Sequence, residues 1–337
     1  MYKKVVALRV DYDESLGYGH FFRMLNLSKY LLKKNFKVIL ITSSLNKIKG
    51  ILSKRIILEN TTDYFYDTLS ILNKYNCNTL ISDISHKKNL SKNNFFLRYN
   101  SFFKKKNIKT ISFDDPSQFC SSNFSIIPYP CKSIKIKKLK KTKIYKGIEY
   151  SIIPENLEKI CRKKFHKTSK NLLVILGGAP KKNLLKDIII SISNIKFPDI
   201  ITKVFIGDIQ NKFFFPILKK KKKFILFSKF GSIKNLLSWS DFVITGEGLL
   251  RFEVVASGRP GLYINNLKQN SVNIKLIKEF NKLNLLQFIE ISDLKNHKKI
   301  AKELENYMVS KKKICSNLYN SSKIKFNKSL NLIEKNI

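Results

Sequence analysis

The chain has 337 residues, 43% of them hydrophobic, which is more than one core usually serves, so two domains of about 150 to 180 residues are expected. No apolar run approaches the roughly 18 to 20 residues needed to cross a bilayer, and the first one is short and soon followed by Asp11, Asp13 and Glu14, unlike a secretory leader. A soluble, cytoplasmic protein is predicted, although its formal net charge of +41 raises the question of an anionic partner.

The first apolar run, Val5 to Val10, reads as a buried strand, and Asp11 to Gly19 as a loop. Helical spacing begins at Phe21, places Met24, Leu25, Leu31 and Leu32 on one face, and ends near Asn35 before a second strand over Val38 to Thr42. The segment Gly17-Tyr18-Gly19-His20-Phe21-Phe22-Arg23 therefore sets a histidine at a glycine-rich turn from strand to helix. Gly17 and Gly19 would let the backbone approach a ligand closely. The positive end of the helix dipole favours a neutral ring at His20, suited to act as a base. By its local setting alone His20 is equally a helix-capping residue.

Further strands are expected at Thr79 to Asp83 and Lys109 to Phe113, with helices over Tyr66 to Tyr75 and Phe95 to Lys104. That alternation argues for a parallel α/β sheet, whose functional loops gather at the carboxyl ends of its strands. Around Ile126 to Lys143 prolines and lysines interrupt the pattern, which marks this stretch as an exit from the first domain or an irregular segment approaching a linker. The alternation resumes with a strand at Leu172 to Leu176, Gly177-Gly178 and a helix through Leu184 to Ile192. Strands at Lys203 to Ile206, Phe224 to Phe227, Phe242 to Thr245 and Leu262 to Ile264 follow, and the last forty residues read as lysine-rich helix. The predicted fold is α/β: two Rossmann-like domains, residues 1–160 and 161–337, with parallel sheets facing across a ligand-binding cleft.

Five scattered cysteines, with no Cys-x-x-Cys pair, support neither a disulfide framework nor a zinc site. Only seven of the 65 basic residues are arginine, and the abundance of Lys, Asn and Ile is what A/T-rich codons supply. Without a nucleic-acid-binding motif, the charge reads as a solvated surface rather than a specific nucleic-acid face. Such a surface would still attract an anionic substrate, and could hold the chain weakly near anionic lipid.

The second half carries its own glycine-rich turn, Gly246-Glu247-Gly248, then Leu249-Leu250-Arg251-Phe252-Glu253. If a helix begins at Leu249, its first N–H groups can receive a diphosphate, and Glu253, one turn in, can accept hydrogen bonds from ribose hydroxyls. Glu247 and Glu253 are also what the dipole of an ordinary first turn selects.

Arg9-Val10-Asp11, the Gly17 to Arg23 motif, Asp83, Ser112-Phe113-Asp114-Asp115, Gly147-x-x-Tyr150, Gly177-Gly178, Glu253 and Gln269 together resemble one family along nearly the whole chain. It is the UDP-2,4-diacetamido-2,4,6-trideoxy-β-L-altropyranose hydrolase of pseudaminic acid biosynthesis, a GT-B glycosyltransferase-like family related to spore-coat polysaccharide proteins. The resemblance implies a metal-independent, inverting hydrolase without a cofactor, in which His20 activates water. It implies nucleotide contacts from Gly177, Gly178, Gly248, Leu249, Glu253 and Gln269, and contacts to the rest of the substrate from Gly17, Gly19, Arg23, Asp83, Asp114 and Tyr150. Asp11, near His20 in sequence, is the candidate to orient the imidazole or to bind the amino sugar, and Asp114 and Asp115 serve either the sugar side or a turn.

The chain departs from the family pattern at Ser85, at Ala179-Pro180, at Pro154 and at Leu249-Leu250. A hydrolase and a GT-B glycosyltransferase differ mainly in whether water or an acceptor hydroxyl attacks, so transfer is the alternative activity. A catalytically idle, nucleic-acid-binding relative is the third reading.

Overall fold

The computed structural model describes residues 4–11, 18–43, 52–84, 94–162, 171–178, 180–197, 199–210, 213–218, 223–229, 231–265 and 270–337. The chain divides into two compact units, residues 1–152 with 326–337, and residues 153–325. The division falls eight residues before the expected break at 160/161, and the last twelve residues return to the first unit. Ile126 to Lys143 is therefore not the exit: it begins inside one strand of the first sheet and ends at the start of another.

In the first unit seven described strands, β1 (Val5–Val10), β2 (Lys37–Thr42), β3 (Ile57–Asn60), β4 (Thr79–Asp83), β5 (Lys109–Phe113), β6 (Phe124–Ile127) and β7 (Lys143–Lys146), form a sheet in the order β3-β2-β1-β4-β5-β6-β7. All their pairings are parallel. Helices α1 (Gly19–Lys33), α2 (Tyr66–Lys74) and α3 (Phe95–Lys105) connect them. The central strands are buried on both faces, β4 from end to end and β1 from Val6 onward. Val6, Leu8 and Val10 pack with Phe21, Met24, Leu25 and Leu31 of α1, while Ala7, Ile39 and Ile41 pack with Leu72 of α2 and with Tyr99 and Phe103 of α3.

The second unit repeats the plan with β8 (Asn171–Ile175), β9 (Ile201–Phe205), β10 (Lys223–Phe227), β11 (Phe242–Thr245), β12 (Gly261–Asn265) and β13 (Gln287–Glu290), in the order β10-β9-β8-β11-β12-β13. Its helices are α4 (Lys182–Ser193), the short α5 (Phe215–Leu218), α6 (Ile233–Trp239), α7 (Leu249–Ala256), α8 (Ser271–Lys282), α9 (His297–Val309) and α10 (Lys311–Ser322). The expected C-terminal helical stretch is thus broken. Asn296 and Ser310 accept from the backbone N–H groups of Lys299 and Lys313 and cap α9 and α10. A last helix, α11 (Lys328–Asn336), sets Leu330, Ile333 and Ile337 into the core of the first unit. Outgoing and returning chain are tied where the N–H of Asn327, at φ 63°, meets the carbonyl of Ser151 at 3.1 Å.

Each sheet has one place where the strand order reverses: between β1 and β4 in the first unit, and between β8 and β11 in the second. Loops diverge there at the carboxyl ends of the strands and leave room for a ligand.

Candidate active site

The reversal in the first sheet brings Val10, the last residue of β1, into register with Asp83, the last residue of β4. Helix α1 begins directly above at Gly19, and its buried Phe21, Met24 and Leu25 fix its rotation. His20 and Arg23, three residues apart, then share a face of its first turn. Both reach Asp83. His20 Nδ1 lies 2.6 Å from Asp83 Oδ1, while Arg23 donates to Oδ2 through Nε at 2.6 Å and to Oδ1 through Nη2 at 2.8 Å.

Burial alone would push the fully enclosed Asp83 carboxyl up, but the Arg23 guanidinium and His20 outweigh it and hold Asp83 below the usual carboxylate range. Burial likewise works against the charge of Arg23, which Asp83 and a hydrogen bond with Tyr129 stabilise, and the guanidinium carbon stands 5.0 Å from the centre of the Phe113 ring. A ring that donates Nδ1–H to Asp83 carries its lone pair on Nε2. The His20 side chain is 31% exposed, so an imidazole whose Nδ1 is engaged by Asp83 presents its other edge to solvent. It can take a proton from a nucleophile.

The carboxylate partner of His20 is Asp83, expected as a substrate contact, and not Asp11. Asp11 is buried in a network of its own: Arg9 Nη2 at 3.3 Å, the Ser43 N–H and hydroxyl at 3.1 and 2.9 Å on Oδ1, and the Tyr64 hydroxyl at 2.6 Å on Oδ2. Arg9 is itself fully buried, 4.7 Å from the Tyr64 ring centre. Arg23, also expected to bind substrate, is committed to Asp83. Asp114 turns inward, accepting from Ser112 Oγ at 2.7 Å among the buried Ser122 and Ser125, where burial raises its carboxyl. Tyr150 packs on the core beside Tyr145, with ring centres 5.8 Å apart. Gly19 is the first residue of α1; Gly17, Ser85 and Gln269 lie outside the described residues.

Sequence reasoning missed Ser43, Tyr64 and Tyr129. Ser43 had a signal, as the first polar residue after an apolar strand at the carboxyl edge. The two tyrosines had none.

In the second unit, Gly177 and Gly178 follow β8 and Gly246 to Gly248 follow β11, the two strands that flank the reversal. A Cβ at Gly246 would stand 2.5 Å from the carbonyl oxygen of Leu176, so only glycine lets the two chains come this close. Gly248, at φ 89° and ψ −155°, turns the chain into α7, with open space where a Cβ would point. The first N–H groups of α7, from Leu249 onward, lack partners within the helix. Glu247 is held by Arg251 and Tyr263. Glu253 is 7% exposed, has no hydrogen-bonding side chain among the described residues, and is pushed by burial up to about 7.

No family model and no curated protein matches the chain. Solved structures do. The chain is similar to MurG of Acinetobacter baumannii, with a TM-score of 0.67 and 11% identity over 98% of this chain and 99% of that one. It is similar to the UDP-GlcNAc 2-epimerase of Neisseria meningitidis solved with UDP-GlcNAc, with a TM-score of 0.63 and 11% identity over 98% of both chains. S. aureus MnaA, solved with UDP, gives a TM-score of 0.66 at 10% identity over 98% of this chain and 95% of that one. The likeness spans both units and defines the fold as GT-B, two Rossmann-like domains in one chain.

Proposed function

We propose that the protein is a cytoplasmic nucleotide-sugar hydrolase that splits a UDP-linked 2,4-diacetamido-2,4,6-trideoxy sugar into free sugar and UDP, in nonulosonic acid or surface polysaccharide biosynthesis. The observation that carries this reading is the His20–Asp83 pair at the strand reversal, with Nε2 of the imidazole available to water. His20 takes a proton from water as its oxygen attacks the anomeric carbon. The bond from that carbon to the diphosphate oxygen breaks on the opposite face with inversion, and UDP leaves with the electron pair. A diphosphate is already a good leaving group, so one base with donors around the phosphates suffices where ordinary glycosidases need two carboxylates. Asp83 keeps the ring in one tautomer and Arg23 keeps Asp83 in place.

In the second unit the N–H groups of Gly248 and Leu249 at the start of α7 receive the diphosphate, Gly177 and Gly178 line the same reversal, and Glu253 accepts from ribose hydroxyls. The sugar is the one the family resemblance implies, and the nucleotide is the one carried by the epimerase and MnaA structures. The likeness to a solved glycosyltransferase of Rickettsia africae favours a second reading, transfer to an acceptor hydroxyl by the same base.

Purified protein given the UDP-sugar without acceptor separates the two. UDP release that falls at least a thousandfold in His20→Ala, with UDP still bound, is the expected outcome. Release only on adding an acceptor rejects hydrolysis in favour of transfer.

A further inference from the structure

An anion-binding turn with a carboxylate at its middle is at odds with its task, because an unneutralised Glu247 would repel a diphosphate at the start of α7. The carboxylate is not loose. Its Oε1 accepts the Tyr263 hydroxyl at 2.6 Å and its Oε2 accepts Arg251 Nη1 at 2.9 Å. The same nitrogen lies 3.1 Å from the Tyr263 hydroxyl, closing a three-membered ring of contacts. Arg251 is buried, its guanidinium carbon 4.9 Å from the Phe252 and Phe280 ring centres and 5.4 Å from that of Tyr263. A guanidinium enclosed by three rings has little room to swing away. Tyr263 belongs to β12, which borders β11 on the side opposite β8.

We infer that Arg251 and Tyr263 form a clamp that holds Glu247 on the β12 side of the turn and cancels its charge, leaving the β8–β11 crevice open to the diphosphate of the nucleotide. This inference rests on the nucleotide-binding role proposed for the second unit. Arg251 and Tyr263 are positioning residues: they act on the ligand through Glu247.

The test is calorimetric titration of UDP into the full chain. Arg251→Met weakens UDP roughly tenfold by exposing an uncancelled carboxylate, and Tyr263→Phe roughly threefold. Glu247→Gln binds UDP at least as tightly as the unaltered chain. The double variant Arg251→Met with Glu247→Gln recovers to within about threefold of Glu247→Gln alone, which a merely structural role for Arg251 does not predict. Should Arg251→Met fail to fold, Tyr263→Phe with and without Glu247→Gln reads the same coupling. An unaltered chain that binds UDP, paired with unaffected single variants or no rescue in the double variant, overturns the clamp alone. An unaltered chain that takes no UDP overturns the nucleotide site and the clamp with it.

Discussion

Glu253 is an acid enclosed without a hydrogen-bonding side chain among the described residues, and its titration has a sign that can be measured. Its ordinary value of 4.5 rises to about 7 on burial, so the folded chain holds a proton that the unfolded chain releases between those values. Stability therefore falls as pH rises through that window and levels off above it. The shift corresponds to on the order of 3 kcal/mol. Urea unfolding at pH 5 and pH 8 should show this loss in the unaltered chain and its absence in Glu253→Gln; parallel behaviour of the two would mean that Glu253 is already ionised in the fold. At the same scale, the histidine of the candidate site was legible in the sequence and its pairing with Asp83 was not. Gly19-His20 at a strand-to-helix turn can be read from spacing, and Asp83 from its place after an apolar strand. Their pairing spans 63 positions and depends on the sheet reversing between β1 and β4. Asp11 looked closer only because sequence distance was the measure at hand, and Arg23 looked free because its burial follows from the rotation of α1.

Elements with both faces buried were the readable ones. Strands β1, β4, β5 and β11 are buried throughout or at all but their first residue, and their expected and observed limits coincide. Those missed, β3, β7 and β13, lie at sheet edges, where exposed lysines such as Lys143 and Lys146 and half-exposed Glu59 and Gln287 break the apolar pattern. β6 was missed for another reason: its apolar residues run straight into Pro128 and Pro130, which read as an exit. The return of α11 to the first unit has no local signal at all, since an amphipathic helix does not name the face it covers. Its weight can be tested at Ile333, which is fully buried among Leu27, Leu31 and Leu330. Ile333→Ala should destabilise the first unit by about 2 to 5 kcal/mol, as truncations in a closed core do. A loss below about 1 kcal/mol in urea unfolding would contradict the docking of α11.

For the whole molecule, the net charge of +41 is carried on a GT-B fold without a nucleic-acid-binding motif in its sequence. Among the described residues no helix is long and apolar enough to cross a membrane. The charge says little about the fold and more about the field a small anion meets on approach. Two sheets with one strand order, each reversing once, present two crevices of different chemistry: a histidine held by a carboxylate in one unit, and glycine turns with a helix N-terminus in the other. His20 is proposed to direct water to the anomeric carbon of a UDP-sugar. Turnover in ¹⁸O-labelled water, followed by mass spectrometry of both products, tests it most directly. The label should enter the free sugar and be absent from UDP, and its incorporation should cease in His20→Gln. Label in the released nucleotide, or incorporation into the sugar that survives loss of the imidazole, would contradict it.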